Sequence, residues 1–255
     1  MTYLTQEEKQ QLLFDWRYRG FSTIELLTEE ECDELIDELE KLRIQRQETT
    51  KEDGSEWGEY DPFMYPHKLS DKFKRIFTHP KIIEATEFLL NGKIDGTQTW
   101  CYFKPPGQLG RDMHQNSFYT GCNHNEYLNI TIALDNHDKE NGAVWNYEGT
   151  HRLGILPIEI DEERAKTNPK NWRNERGKPC VMPEGHDFVK VEGTTKKGDV
   201  VLLHSHTVHG SKTNHSNRFR RSFLAGYSLK GTQFKTGGHM KREPIDIYKL
   251  QEKFW

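Results

Sequence analysis

Beyond residue 96 the sequence breaks into short β-branched or aromatic runs: TQTWCYF, EYLNITIALD, GAVWNY, DFVKVE, GDVVLLHSH and RSFLAGYSL, separated by Gly, Pro, Asn and Asp. Runs of this length and composition read as strands joined by turns. The strongest helical signals come before them. Helices first and strands afterwards predict a mainly β chain, a β-sandwich or jelly roll with helices packed on its outside.

The helical part opens with two start signals. Thr5 with Glu8, and Thr28 with Glu31, each place a glutamate three residues after a threonine cap, the spacing of a capping box. Leu35, Ile36, Leu39 and Leu42 then form an apolar stripe at helical spacing. GFSTIELL between the two helices reads as a short strand or extended link. The polar run from Gln45 to Pro62 is expected to be a solvated loop or a mobile lid. SDKFKRIF and PKIIEATEFLLNG predict further helix, with Pro80 in a first turn and Gly92 as the stop.

No internal repeat and no strong boundary is visible, so one domain is expected over residues 1–255. Residues 1–95 form its mainly helical part, 96–230 the β core and 231–255 a tail, with a charged insertion at 158–185. The length of 255 residues allows a sizeable core. A formal charge of −4 is too mild to point to nucleic acid or membrane as the main partner. No apolar run approaches the roughly 18 residues of a membrane span, and the polar start predicts no secretory signal. Cys32, Cys101, Cys122 and Cys180 are widely spaced without a CxxC pair. Reduced thiols in a cytoplasmic protein are the expectation.

Twelve histidines are present. His67, His79, His186, His215 and His239 are read as surface or satisfied polar residues. The segment GDVVLLHSHTVHGSKTNHSNRFRRS is richer. Its strand carries His204 and His206 on one face, with His209 just after and Arg218, Arg220 and Arg221 on what reads as the next strand. A histidine ending one strand beside an arginine on the next can hold a metal and a carboxylate together, because the guanidinium fork matches a carboxylate bidentately. A non-haem iron centre needs two histidines and a carboxylate on one face. Two of these ligands come from a His-x-Asp/Glu pair, whose alternate residues point the same way in an extended segment. Here they would be His114, position 116 and His209, with Arg220 eleven residues beyond His209.

Taken together, PPGQLGRDMHQN, ALDNHDKENGAVWNYEGTHRLG, GDVVLLHSHTVHGS and NRFRRS resemble the phytanoyl-CoA dioxygenase family of Fe(II)/2-oxoglutarate-dependent oxygenases. The likeness runs from about residue 19 to residue 229, with the 158–185 insertion poorly matched. It implies a double-stranded β-helix, the cupin-like jelly roll. It also implies that His114, Asn116 and His209 are the metal-binding and catalytic positions. Arg220 would anchor the distal carboxylate of 2-oxoglutarate, Ser211 would assist, and Thr131 is a candidate for the other end. Fe(II), 2-oxoglutarate as co-substrate and O2 follow from the resemblance. So does hydroxylation or related C–H oxidation of a small polar metabolite, with succinate and carbon dioxide as co-products.

Asn116 stands where the family carries a carboxylate, and four alternatives follow. It can be a working neutral ligand, or an engineered replacement of aspartate. The protein can be a silent binder of metal, 2-oxoglutarate or another ligand. It can also be a halogenase whose vacated iron position takes chloride, although asparagine is not the small residue that role needs. Asp112, two places before His114, is a candidate substitute ligand. A zinc hydrolase is the weakest alternative, as no HExxH accompanies the histidines. Trp100, Tyr102, Phe118, Tyr119 and Trp145 are candidates for the pocket wall, and Lys104, Arg111, His204 and His206 for meeting an anionic group.

Overall fold

The computed structural model describes residues 2–52, 54–159, 180–235 and 242–255. The helical part comprises α1 (Gln6–Tyr18), α2 (Glu29–Gln47), α3 (Pro66–Leu69), α4 (Asp71–Phe77) and α5 (Pro80–Leu90), interrupted by β1 (Phe21–Glu25) and β2 (Phe63–Met64). Thr5 and Thr28 both close complete capping boxes, each hydroxyl accepting from the glutamate backbone while the glutamate side chain accepts from the threonine N–H. α5 stops one residue before the expected glycine, at Asn91, which takes the left-handed conformation at φ 55. Asparagine tolerates that region better than other side chains. The polar run expected to start at Gln45 leaves the helix three residues later, at Glu48, because α2 continues to Gln47. Arg46 at its end donates to the Pro62 and Asp61 carbonyls and lies over the rings of Trp57 and Phe63.

Strands β3 (Ile94–Tyr102), β4 (Tyr127–Ala133), β7 (Asp199–His204) and β9 (Ser222–Leu229) join β1 and β2 in one antiparallel sheet, ordered β1-β7-β4-β9-β3-β2. β5 (Val144–Tyr147), β6 (Lys190–Glu192) and β8 (His209–Ser211) form a second, ordered β6-β5-β8. Two-residue alternation assigns the faces of the large sheet. Leu128, Ile130 and Ile132 of β4, with Val200, Leu202, Phe223 and Ala225 beside them, pack into one core with α1, α2, α4 and α5. Phe73 of α4 stacks on Phe223 with ring centroids 5.5 Å apart, a pairing worth about 0.5–1.5 kcal/mol beyond its buried area. The opposite, inner face carries Gln98, Trp100, Tyr102, Asn129 and Thr131. All four cysteines are buried and unpaired.

Two further elements are short helices, α6 (Asn116–Thr120) and α7 (Ile247–Gln251). His239 and most of the 158–185 insertion lie outside the described residues.

Candidate metal centre

A histidine pair sits at the edge of the smaller sheet. His114 and His209 exchange both backbone hydrogen bonds, at 2.8 and 3.0 Å, in an isolated antiparallel bridge. Residues directly opposed in such a bridge bring their side chains together, and the ring centroids stand 4.3 Å apart. Each Nδ1 faces a main-chain carbonyl, Asp112 O at 2.8 Å from His114 and Thr207 O at 2.9 Å from His209. A carbonyl only accepts, so both Nδ1 atoms carry the proton and both Nε2 atoms keep their lone pair, the tautomer of a metal-ligating imidazole. Burial holds both rings neutral, with the Arg111 cation adding to the effect. His114 titrates well below the ordinary histidine range and His209 at about 4.

Asn116 does not continue an extended His-x-Asn segment. Gln115 keeps extended geometry, but Asn116 is the first residue of α6, so the alternation expected of a straight strand ends at the N-cap. Gln115 pins the change of direction. Its side-chain amide donates to Gly154 O at 2.7 Å and His206 O at 2.6 Å, and its carbonyl accepts Leu156 N–H at 2.7 Å. Asn116 is half-buried, and its carboxamide makes no hydrogen bond among the described residues. Asp112 supplies the carbonyl that orients His114. Among the described residues no three His, Cys, Asp or Glu side chains converge as a metal site. What the structure brings together here is a pair of neutral imidazoles, with Asn116 on the helix that follows.

The three arginines lie in the connection before β9 rather than on it, since β9 starts at Ser222. Strand alternation therefore does not sort them, and Arg218 does not share the buried side of Arg220. Arg218 is exposed and pairs with Asp138 at 2.7 Å. Arg221 is held bidentately by Asp135, at 2.9 Å from both Nε and Nη2. Arg220 is 5% exposed, forms no ion pair among the described residues, and its Nε has no partner. Burial lowers its pKa to about 10. A buried guanidinium with no anion among the described residues is costly, and a carboxylate would relieve that cost.

Ser211 and Lys104 border it. The Ser211 hydroxyl accepts from Arg111 N–H at 3.0 Å and from Lys104 Nζ at 3.3 Å. With two donors already on the oxygen, its own proton is available to an incoming acceptor. Lys104 is buried, sits at φ 39, and also donates to the carbonyls of Gly142 (3.1 Å) and Lys212. Burial, with Arg220 and Arg111 near it, lowers its pKa to about 7. Its ammonium is thus spent largely on the protein's own carbonyls. Thr131 is half-buried on the inner face, opposite Leu224 and Val201. Tyr119 meets His114 edge-on at 6.0 Å, and Arg111 lies 5.4 Å over the Tyr102 ring.

Two features had no signal in the sequence. Asn146 of β5 is the direct cross-strand partner of His209, and its buried Oδ1 lacks a hydrogen bond. His204 and His206 were expected to share one strand face, but β7 ends at His204. They belong instead to a second cluster with His124 and His151, ring centroids 4.6–5.5 Å from His204. That cluster is internally bonded: His204 takes the His206 N–H on Nδ1 and reaches Asn125 through Nε2, and His206 faces Ser117 Oγ. Three separate segments supply it, which no local pattern reveals.

The chain is 28% identical over 167 residues to a probable alpha-ketoglutarate-dependent hypophosphite dioxygenase of Stutzerimonas stutzeri, covering 64% of this chain and 55% of that protein. It thus spans little more than half the length of that relative. An ectoine dioxygenase of Bordetella parapertussis is 26% identical over 232 residues, 84% of this chain and 73% of the relative. Among solved structures, the epimerase SnoN in complex with Fe3+, alpha ketoglutarate and nogalamycin RO superposes with a TM-score of 0.71 at 18% identity, covering 94% of this chain and 96% of that one. Strand order, flanking helices and this superposition agree on the jelly-roll core. The phytanoyl-CoA dioxygenase (PhyH) family model matches residues 16–222, and the chain belongs to that family.

Proposed function

We propose that the protein is an Fe(II)/2-oxoglutarate-dependent dioxygenase that oxidises a C–H bond of a small polar metabolite and converts 2-oxoglutarate to succinate. The observation that carries this is Arg220, a buried guanidinium without an anion among the described residues, linked through Lys104 and Ser211 to the strand of His209, whose ring, like that of His114, keeps its Nε2 lone pair. These groups fit the cofactor set. His114 and His209 would hold iron through Nε2, with the Asn116 carboxamide as a neutral third donor. Arg220 and the Ser211 hydroxyl would take the distal carboxylate of 2-oxoglutarate, and Thr131 is assigned to its other end.

When bound, the iron and 2-oxoglutarate supply oxidation coupled to decarboxylation. The protein's part is positioning. The two Nδ1–H···O=C bonds fix the ring orientations, and Lys104 ties the Ser211 hydroxyl and the Lys212 carbonyl in place. The polarity of the substrate is supported by Trp100 Nε1 and Asn129 Oδ1. Both are buried without partners on the inner face, where an acyl chain would leave them unpaired. The relatives named for hypophosphite and ectoine support a small substrate. Four buried, unpaired cysteines support a reducing, cytoplasmic setting. Among the described residues no helix is long and apolar enough to cross a membrane.

The test is succinate formed from labelled 2-oxoglutarate under air with Fe(II) and ascorbate. Wild type should form succinate above the protein-free background, and His209→Ala should not. Equal rates in the two proteins would reject the assignment.

A further inference from the structure

The charge around the histidine pair does not balance a metal dication. Both imidazoles are neutral. Asn116, Asn146 beside His209, and the Asp112 carbonyl that orients His114 are neutral as well. No acidic side chain completes a trio with the histidines among the described residues. Asp135, the carboxylate nearest in effect to Arg220, is already held bidentately by Arg221. Cations, by contrast, are close. Arg111, three residues before His114, forms no ion pair among the described residues, and its main chain is bonded to Ser211, two residues after His209. Arg220 and Lys104 stand behind it. A divalent cation arriving alone meets neutral donors, with Arg111 and Arg220 close by and the Asp112 carboxylate the negative charge of the adjoining chain.

2-Oxoglutarate changes that sum. It brings two negative charges, one at the keto-acid end that chelates a metal and one at the far carboxylate that suits Arg220. Resting on the dioxygenase reading above, we infer that Asn116 makes metal and 2-oxoglutarate binding interdependent, so that the co-substrate supplies the negative charge the protein omits and metal is retained only in its company. With aspartate at position 116 part of that charge would be built in, and the coupling would weaken. Linkage makes the effect reciprocal: whatever factor 2-oxoglutarate adds to metal affinity, metal adds to 2-oxoglutarate affinity. The site then stays empty of metal when 2-oxoglutarate is scarce.

Asn116→Asp is the informative variant, because it adds charge with almost no change in shape at a half-buried position that makes no side-chain hydrogen bond. The experiment is anaerobic calorimetry of the metal-free full chain with Mn(II), which binds without turnover, in the absence and presence of saturating 2-oxoglutarate. Binding of Mn(II) to free 2-oxoglutarate is subtracted. Wild type should bind Mn(II) at least about a hundredfold more tightly with 2-oxoglutarate than without. Asn116→Asp should bind Mn(II) alone about 10–100-fold more tightly than wild type, the scale on which changes around a metal act, and gain at least about tenfold less from 2-oxoglutarate. Arg111→Gln should tighten Mn(II) alone a few-fold. A wild-type gain below about threefold, or the same gain in Asn116→Asp, overturns the inference. Failure of the iron-site reading itself shows differently: His209→Ala would then bind Mn(II) and 2-oxoglutarate as wild type does.

Discussion

Arg218, Arg220 and Arg221 lie within four residues of each other, and what separates them is their partners. Two face aspartates, and among the described residues the third faces none. That contrast makes a prediction at the residue scale. Arg220→Ala should weaken 2-oxoglutarate binding by about tenfold to a hundredfold, the worth of a charged hydrogen bond, while Arg218→Ala leaves it unchanged. Calorimetry with the metal present distinguishes them. Arg220→Lys should recover only part of the loss, since an ammonium keeps the charge but not the fork. The family resemblance pointed to His114, Asn116, His209 and Ser211, and spacing from His209 chose Arg220 among the three arginines. The expectation that the three arginines lie on the next strand fails, because β9 begins at Ser222. The burial of Lys104 had no signal. Its acceptors, Gly142, Ser211 and Lys212, lie 38 to 108 residues away.

Among the elements, those with local chemistry were readable. Both capping boxes form as the threonine–glutamate spacing requires. Thr28→Ala should therefore cost about 1 kcal/mol and lower Tm by about 2–4 °C, read by calorimetric melting. α6 was not readable, because glutamine is a poor N-cap by intrinsic preference and the segment shows no helical periodicity. Gln115 is instead fixed by three distant main-chain groups. Gln115→Ala would leave those groups buried without partners, at a cost on the order of 3 kcal/mol. It should also loosen metal binding, since Gln115 separates His114 from Asn116. Denaturant unfolding and Mn(II) affinity should change together; a stable variant with unchanged affinity would contradict this role. Gly142 is similarly constrained. At φ +70 and packed against the Lys212 and Thr213 carbonyls, it has no room for a Cβ.

At the scale of the whole molecule, the β core was legible because two-residue alternation is a local property. The pairing order β1-β7-β4-β9-β3-β2 was not, because it joins segments far apart in the chain. The same non-local assembly gathers the second histidine cluster, and this sets the response to acid. Burial lowers His67, His151 and His206 to about 4 and His204 to about 2. In the unfolded chain these rings take protons near the ordinary value of about 6.5, whereas the folded chain resists protonation until much lower pH. The unfolded state therefore binds more protons as pH falls through 6.5 toward 4, and stability drops over that window. Urea midpoints should fall steeply on acidification, with more than about 3 kcal/mol lost between pH 7 and pH 5. His204→Gln should flatten part of that slope.

The central claim is that His114 and His209 hold iron next to a 2-oxoglutarate site headed by Arg220. The most direct measurement is an anaerobic titration of the metal-free protein with Fe(II) and 2-oxoglutarate, followed by visible absorption. Wild type should develop the chelate's charge-transfer band, and His209→Ala should not. Absence of the band in wild type, or its appearance unchanged in His209→Ala, would contradict the claim.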